Sequence, residues 1–373
     1  MLRTSIIGWY GTETMGDLAI LDGILAVLNS VSPTSRVHLG SLYPFYSERT
    51  MLQERPVFEK TAPGAEIRIF EIMDRAATEE VLDDTDILIF GGGPLMDLEE
   101  LYLMHRTVKS AARRNIPIVL MGCGLGPVRE EGYIRLIGDM VRMSSRTIWR
   151  DEGSMQLAER LGMDTARMCV IGDPARISVD EYGTGHPEHH IQEDTWAVNL
   201  RRFPEAEYGA NPFDAGGAAA ILAEAGKYCR KLQLVPMHTF AIGGDDRDFF
   251  AEIMGERDKP DTEVLWKPLN LHELYDIYAS AGACIGMRYH AVLMQTLLNG
   301  NNYIFDYTAG AGDKTAGFLR QADPKHFYRD RIWNMREEQK PAGLEALCRG
   351  ERFSGRMDSP LKEYKKELSD LIG

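Results

Sequence analysis

Apolar runs that break into glycine and then give way to helical spacing recur along this chain, and they restrict it to an α/β fold. Residues 4–7 lead into a loop holding Gly8, Gly11 and Gly16, after which Leu18, Leu21, Ile24, Leu25 and Leu28 recur at intervals of three to four. Residues 87–90 enter Gly91-Gly92-Gly93, and residues 118–121 enter GCGLGP at 122–127. Runs that are apolar throughout, separated by helices, are what strands covered on both faces require, and they predict a parallel sheet. Asp17 falls where the N-cap or first-turn carboxylate of a helix belongs. The spacing of Gly8, Gly11 and Gly16 fits neither a dinucleotide fingerprint nor a Walker loop, and no lysine follows, so an NAD or ATP site has little support. Gly91, Gly92 and Gly93 can present backbone N–H groups and admit a close approach, or simply turn the chain.

The rhythm repeats in the second half with different punctuation. Residues 195–200 run into Arg201-Arg202, residues 231–236 into Met237-His238, and residues 281–285 into Gly286-Met287-Arg288-Tyr289-His290. Residues 291–300 then carry apolar side chains at helical spacing and stop at Asn299-Gly300, which places Arg288 and His290 at a strand-to-helix turn. Open α/β sheets bind ligands at the carboxyl ends of their strands, where helix N-termini favour anions. Arg201, His238, Arg288 and His290 therefore converge on one sheet edge and suit a small polyanion, and Lys314 offers a further charge. Each has a plainer alternative: Arg288 paired with a carboxylate, His238 and His290 as satisfied histidines, Arg201 and Lys314 as solvated loop cations.

A chain of 373 residues, 44% hydrophobic and 26% charged, has the composition of a soluble protein too long for one ordinary core. The boundaries read as an N-terminal Rossmann-like domain over 1–177, a polar linker over 178–194, a second Rossmann-like domain over 195–350, and a C-terminal helix over 351–373 able to return to the first domain. Two such domains facing a cleft form a common small-molecule site. The net charge of −14 argues against nucleic-acid partners and against a polybasic membrane footprint. The five cysteines are scattered without a CxxC, which suits a reducing compartment. No stretch has the length of a membrane span or the form of a signal peptide, so a cytoplasmic enzyme is expected. His186, His189 and His190 lie in the polar stretch without cysteine or carboxylate partners at ligand spacing, and no metal site is expected.

Taken in order, GWYGTETMGDLAILDGIL (8–25), DILIFGGGPLMD (86–97), MGCGLGPV (121–128), WRDEGSMQLAERLGM (149–163), VIGDPA (170–175), AVNLRRF (197–203), LVPMH (234–238) and ASAGACIGMRYHAVLMQTLLNG (279–300) resemble the polysaccharide pyruvyltransferase family. The resemblance covers most of the chain, with Leu18 and Tyr289 as departures from the family's usual acidic and aliphatic residues. It implies two Rossmann-like domains in a GT-B-type arrangement. It also implies transfer of a pyruvyl group from phosphoenolpyruvate, as co-substrate, to a sugar of a cell-surface polysaccharide or its precursor, forming a ketal, with no cofactor. Phosphoenolpyruvate carries a carboxylate and a phosphate, so a site needs at least two cationic anchors, for which arginine is best suited. Arg288 and Arg201 are the expected anchors, with His238 and Lys314 beside them, and His290 is the expected general acid because histidine is the residue type best suited to handling protons near neutral pH. Asp17 is expected to take a proton from the sugar hydroxyl or bind the sugar, with Gly91, Gly92 and Gly93 lining the acceptor. Whether the acceptor is lipid-linked, with the enzyme then peripheral at the inner membrane face, and whether the protein forms a homo-oligomer stay open. A GT-B glycosyltransferase using a nucleotide sugar and a catalytically silent sugar-binding protein are the competing readings.

Overall fold

The computed structural model describes residues 2–185, 189–211, 213–256, 260–308, 314–336, 343–355 and 357–372. They form two compact units, one of Met1–Glu181 with Asp358–Gly373 and one of Tyr182–Met357. In the first unit the strands are β1 (Leu2–Ile7), β2 (Ser35–Ser41), β3 (Glu66–Glu71), β4 (Ile87–Gly91), β5 (Pro94–Leu95), β6 (Ile118–Leu125), β7 (Arg146–Trp149) and β8 (Met168–Val170). Their order in the sheet is β3-β2-β1-β4-β6-β7-β8, with β5 pairing β6, and every pairing is parallel. The second unit repeats the plan with β9 (Gln192–Asn199), β10 (Lys231–Leu234), β11 (Thr262–Val264), β12 (Ala281–Gly286), β13 (Asn302–Asp306) and β14 (Ile332–Asn334). Their order is β11-β10-β9-β12-β13-β14, again parallel throughout. Both are doubly wound sheets, and each reverses its winding at one place, between β1 and β4 and between β9 and β12, where such folds open a crevice at the strand ends.

The apolar runs become central strands because helices cover them on both sides. Leu88, Phe90, Leu120 and Trp149 are fully buried in the same cluster as Met104 and Ile137 from flanking helices, and Val198, Leu234, Ile285 and Phe305 occupy the corresponding cluster of the second unit. The helix Met15–Val31 is buried along most of its length, and the C-terminal helix Leu361–Ile372 packs against it. Buried Tyr364 on that C-terminal helix donates its hydroxyl to the Gly172 carbonyl at 2.5 Å, and Glu367 pairs with Arg146 at 2.6 Å.

Two segments differ from the sequence reading. Residues 178–194, read as a linker, are largely regular: the helix Ala175–Gly185 runs into them and β9 begins within them, while residues 186–188 lie outside the described residues. Residues 192–194 of β9 are exposed, so a strand there needs no apolar side chains. The glycines after residue 121, read as a turn, continue strand β6 to Leu125. A register shift between Met121 and Cys123 brackets Gly122, whose φ of +66° and approach to Pro174 require a residue without Cβ.

Candidate active site

The carboxyl ends of β10, β9 and β12 lie side by side, and the groups delivered there hold one another. Arg288 is the N-cap of the helix Tyr289–Leu298. Its backbone N–H donates to Asn199 Oδ1 at 3.1 Å, and the Asn199 amide donates to the Val235 carbonyl at 3.0 Å, so one buried asparagine at the end of β9 ties together the exits of both neighbouring strands. The Arg288 guanidinium grips Asp246, the first residue of the helix Asp246–Gly255, through Nε at 2.9 and 3.0 Å and Nη2 at 2.6 Å. Nη2 also donates to the Gly244 carbonyl at 3.2 Å.

Arg201 is held differently. Its guanidinium lies 5.7 Å from the Tyr307 ring centre, with Nη1 3.4 Å from the Tyr307 hydroxyl and Nε donating to the Arg202 carbonyl at 3.3 Å. Among the described residues no carboxylate comes within ion-pair distance of it. Its neighbour Arg202 turns outward to pair with Glu252. His238 is 5% exposed, and its Nε2–H donates to the Ile242 carbonyl at 2.5 Å. Burial first, then the positive charges of Arg288 and Arg201, push its pKa down to about 4, so the ring is neutral at pH 7 and contributes no charge. His290 is half-buried in the first turn of the helix Tyr289–Leu298, edge-on to the Tyr289 ring at 4.9 Å. Lys314 opens the helix Lys314–Ala322, and the preceding residues 309–313 lie outside the described residues.

At the winding reversal of the first unit the chemistry is of another kind. Asp17, buried in the first turn of the helix Met15–Val31, lies beside the loop after β4: a Cβ on Gly93 would sit 3.3 Å, and one on Gly92 3.7 Å, from its Oδ1. Gly92 and Gly93 have φ of +109° and +68°, and a side chain on Gly93 would strike Trp9. A Cβ on Gly91 would instead strike Ile24. Trp9, Tyr10, Thr14 and Asp17 share a small recess with Ser47 and Thr50. Burial and the nearby Asp17 charge hold the Tyr10 hydroxyl well above its ordinary range, so it is a neutral phenol.

A family model described as polysaccharide pyruvyl transferase matches residues 15–307. The chain belongs to that enzyme family. No curated protein matches it in sequence. Among solved structures it is similar to the UDP-N-acetylglucosamine 2-epimerase of Rickettsia bellii, with 11% identity and a TM-score of 0.62 over 100% of this chain and 96% of that one. The UDP-GlcNAc 2-epimerase of Methanocaldococcus jannaschii gives 10% identity and 0.62 over 99% and 100%. That of Neisseria meningitidis gives 10% identity and 0.57 over 100% and 99%. At such identities the likeness establishes the fold, that of GT-B enzymes built from two Rossmann-like units.

Three residues of this pyruvyl transferase family member that shape the second-unit site were not singled out from sequence: Asn199, Asp246 and Tyr307. Asn199 carried a signal, since a polar residue closing an otherwise apolar strand must find partners there. Asp246 sits in the run DDRD, where it reads as one more helix-start carboxylate. Of the three linker histidines, His186 lies outside the described residues, and His189 Nε2 lies 2.9 Å from the Tyr182 hydroxyl. No three metal-ligating side chains are grouped among the described residues, and none of the described helices is long and apolar enough to cross a membrane.

Proposed function

We propose that the protein moves the pyruvyl group of phosphoenolpyruvate onto two hydroxyls of one sugar in a cell-surface polysaccharide or its precursor, making a ketal and releasing phosphate. The observation that carries this reading is the pair of guanidiniums at the winding reversal of the second sheet: Arg201 without an ion pair among the described residues, Arg288 on the neighbouring strand exit. Two such groups match the donor's carboxylate and phosphate. In the reaction the enol carbon C3 takes a proton, a sugar hydroxyl attacks C2 and loses its proton, the C2–O bond breaks with its electron pair leaving on the phosphate, and a second hydroxyl closes the ketal, its proton passing to the released phosphate. His290 supplies the proton and its helix N-terminus steadies the anion. His238, neutral, adds hydrogen bonding and shape. Asp17 receives a proton from the attacking hydroxyl, with Gly92 and Gly93 admitting the acceptor; the electrons balance without a redox partner. The scattered cysteines, without a CxxC pair, support a reaction on the cytoplasmic side, with free or lipid-linked acceptors.

The test is to incubate the protein with phosphoenolpyruvate and a panel of glycan acceptors, following inorganic phosphate and the mass of the pyruvyl ketal. Ketal formation with stoichiometric phosphate supports the reading. No rise in melting temperature with phosphoenolpyruvate, together with release of nucleoside diphosphate from a nucleotide sugar, would replace it with glycosyl transfer.

A further inference from the structure

We infer that Asp246 is a positioning residue, which fixes the plane of the Arg288 guanidinium and the exit of strand β10 in the geometry that receives the donor's anionic group; this rests on the donor reading above. Asp246 is 1% exposed, and both its oxygens are engaged. Oδ1 accepts from Arg288 Nε and Nη2 at 2.9 and 2.6 Å; Oδ2 accepts from Arg288 Nε at 3.0 Å, from the Met237 N–H at 2.9 Å and from the His238 N–H at 3.2 Å. Its own N–H donates to the His238 carbonyl at 2.9 Å. One carboxylate therefore joins the loop after β10, the N-terminus of the helix Asp246–Gly255 and the residue that caps the helix after β12.

A forked arginine–carboxylate contact sets orientation as well as distance, which a point charge does not. Electrostatics alone gives such a residue no place here, because a buried negative charge against an anion-binding arginine opposes the anion. The geometric role and the charge thus predict opposite signs when the charge is removed. Asp246→Asn keeps the size and one acceptor oxygen for the Met237 and His238 N–H groups, but sets an amide N–H₂ against the guanidinium and breaks the fork.

The measurement is phosphoenolpyruvate binding by calorimetry and by melting-temperature shift, on the full chain, for the parent protein, Asp246→Asn and Asp246→Glu. Positioning requires the dissociation constant to rise at least about tenfold in Asp246→Asn, with the far-UV spectrum unchanged, and to rise also in Asp246→Glu, which keeps the charge but displaces the fork by one methylene. An unchanged or tighter dissociation constant in Asp246→Asn overturns the inference while leaving the donor reading intact. Should the Asn variant fail to fold, Asp246→Glu decides: parental affinity there overturns it as well. A parent protein that binds no phosphoenolpyruvate removes the donor reading itself, and this inference with it.

Discussion

The two sheets wind in the same order and reverse at the same place, yet what stands at the two reversals differs. After β1 and β4 the chain offers glycines, two aromatic rings and one buried carboxylate, Asp17. Across the exits of β10, β9 and β12 the second unit offers the guanidiniums of Arg201 and Arg288, the imidazoles of His238 and His290, and a buried carboxylate, Asp246, spent on one of the arginines. A shared fold thus fixes where a ligand can sit, and the strand-end side chains decide which ligand it is. A neutral polyhydroxyl compound suits the first setting and a compact polyanion the second, which is the division the proposed reaction needs.

The strongest challenge to this division is His290. If it supplies the proton, His290→Ala lowers turnover about 10²- to 10⁴-fold while donor affinity changes far less. His290→Gln keeps a hydrogen-bond donor but cannot shuttle a proton; turnover near the parental level in that variant would leave His290 as a phosphate ligand only. Next comes Arg288→Ala, expected to weaken phosphoenolpyruvate binding by about 2 to 5 kcal/mol, with Arg288→Lys recovering part. The alanine variant also strands Asp246 as a buried unpaired charge, so its melting temperature should fall too. Unchanged donor affinity in Arg288→Ala would erase the contrast between the two units.

His238 gives a pH test of the same edge. Its folded pKa of about 4 lies below the ordinary value of 6.5, so the unfolded chain takes up the proton first as pH falls. The stability this ring permits is fully present above pH 6.5 and is lost as pH drops toward 4, by at most about 3 kcal/mol. His238→Gln should flatten that part of the profile, read as the parent-minus-variant difference in urea midpoint between pH 7 and 4.5. A difference independent of pH would mean that the ring is not held neutral.

The α/β class was legible because buried parallel strands must be apolar throughout, as residues 87–90 and 281–285 are. The placement of Arg201, His238, Arg288 and His290 at strand exits was legible because each follows an apolar run that ends in a strand; what each of them pairs with was not. What the sequence concealed were partners distant along the chain. Asp246 meets Arg288 only because the helix after β10 begins where β12 ends, and no local pattern encodes that meeting. The fork also changes how Arg288 reads: it is a held arginine, whereas Arg201 leans on an aromatic ring. The β6 glycines misled for the opposite reason, since Gly122 serves a bulge within a strand, and composition alone does not separate a bulge from a turn.

The smallest effects should come from glycines at the reversals, and they separate backbone from side-chain contacts. A Cβ on Gly8, just after β1, would meet the Gly91 carbonyl oxygen at 2.1 Å, an atom fixed in β4. A Cβ on Gly91 would meet Ile24 Cδ1 at 2.2 Å, and one on Gly286, at the end of β12, would meet Gln295 Oε1 at 2.4 Å; both are ends of side chains that can rotate. Gly8→Ala should therefore cost about 1 to 3 kcal/mol of stability by forcing β1 and β4 apart, while Gly91→Ala and Gly286→Ala cost less. Because Gly8 belongs to the unit proposed to hold the acceptor, phosphoenolpyruvate affinity should stay parental in Gly8→Ala. Chemical denaturation of the three variants beside donor titrations checks both points: equal losses for Gly8→Ala and Gly91→Ala would break the backbone argument, and weakened donor binding in Gly8→Ala would break the assignment of the anion to the second unit.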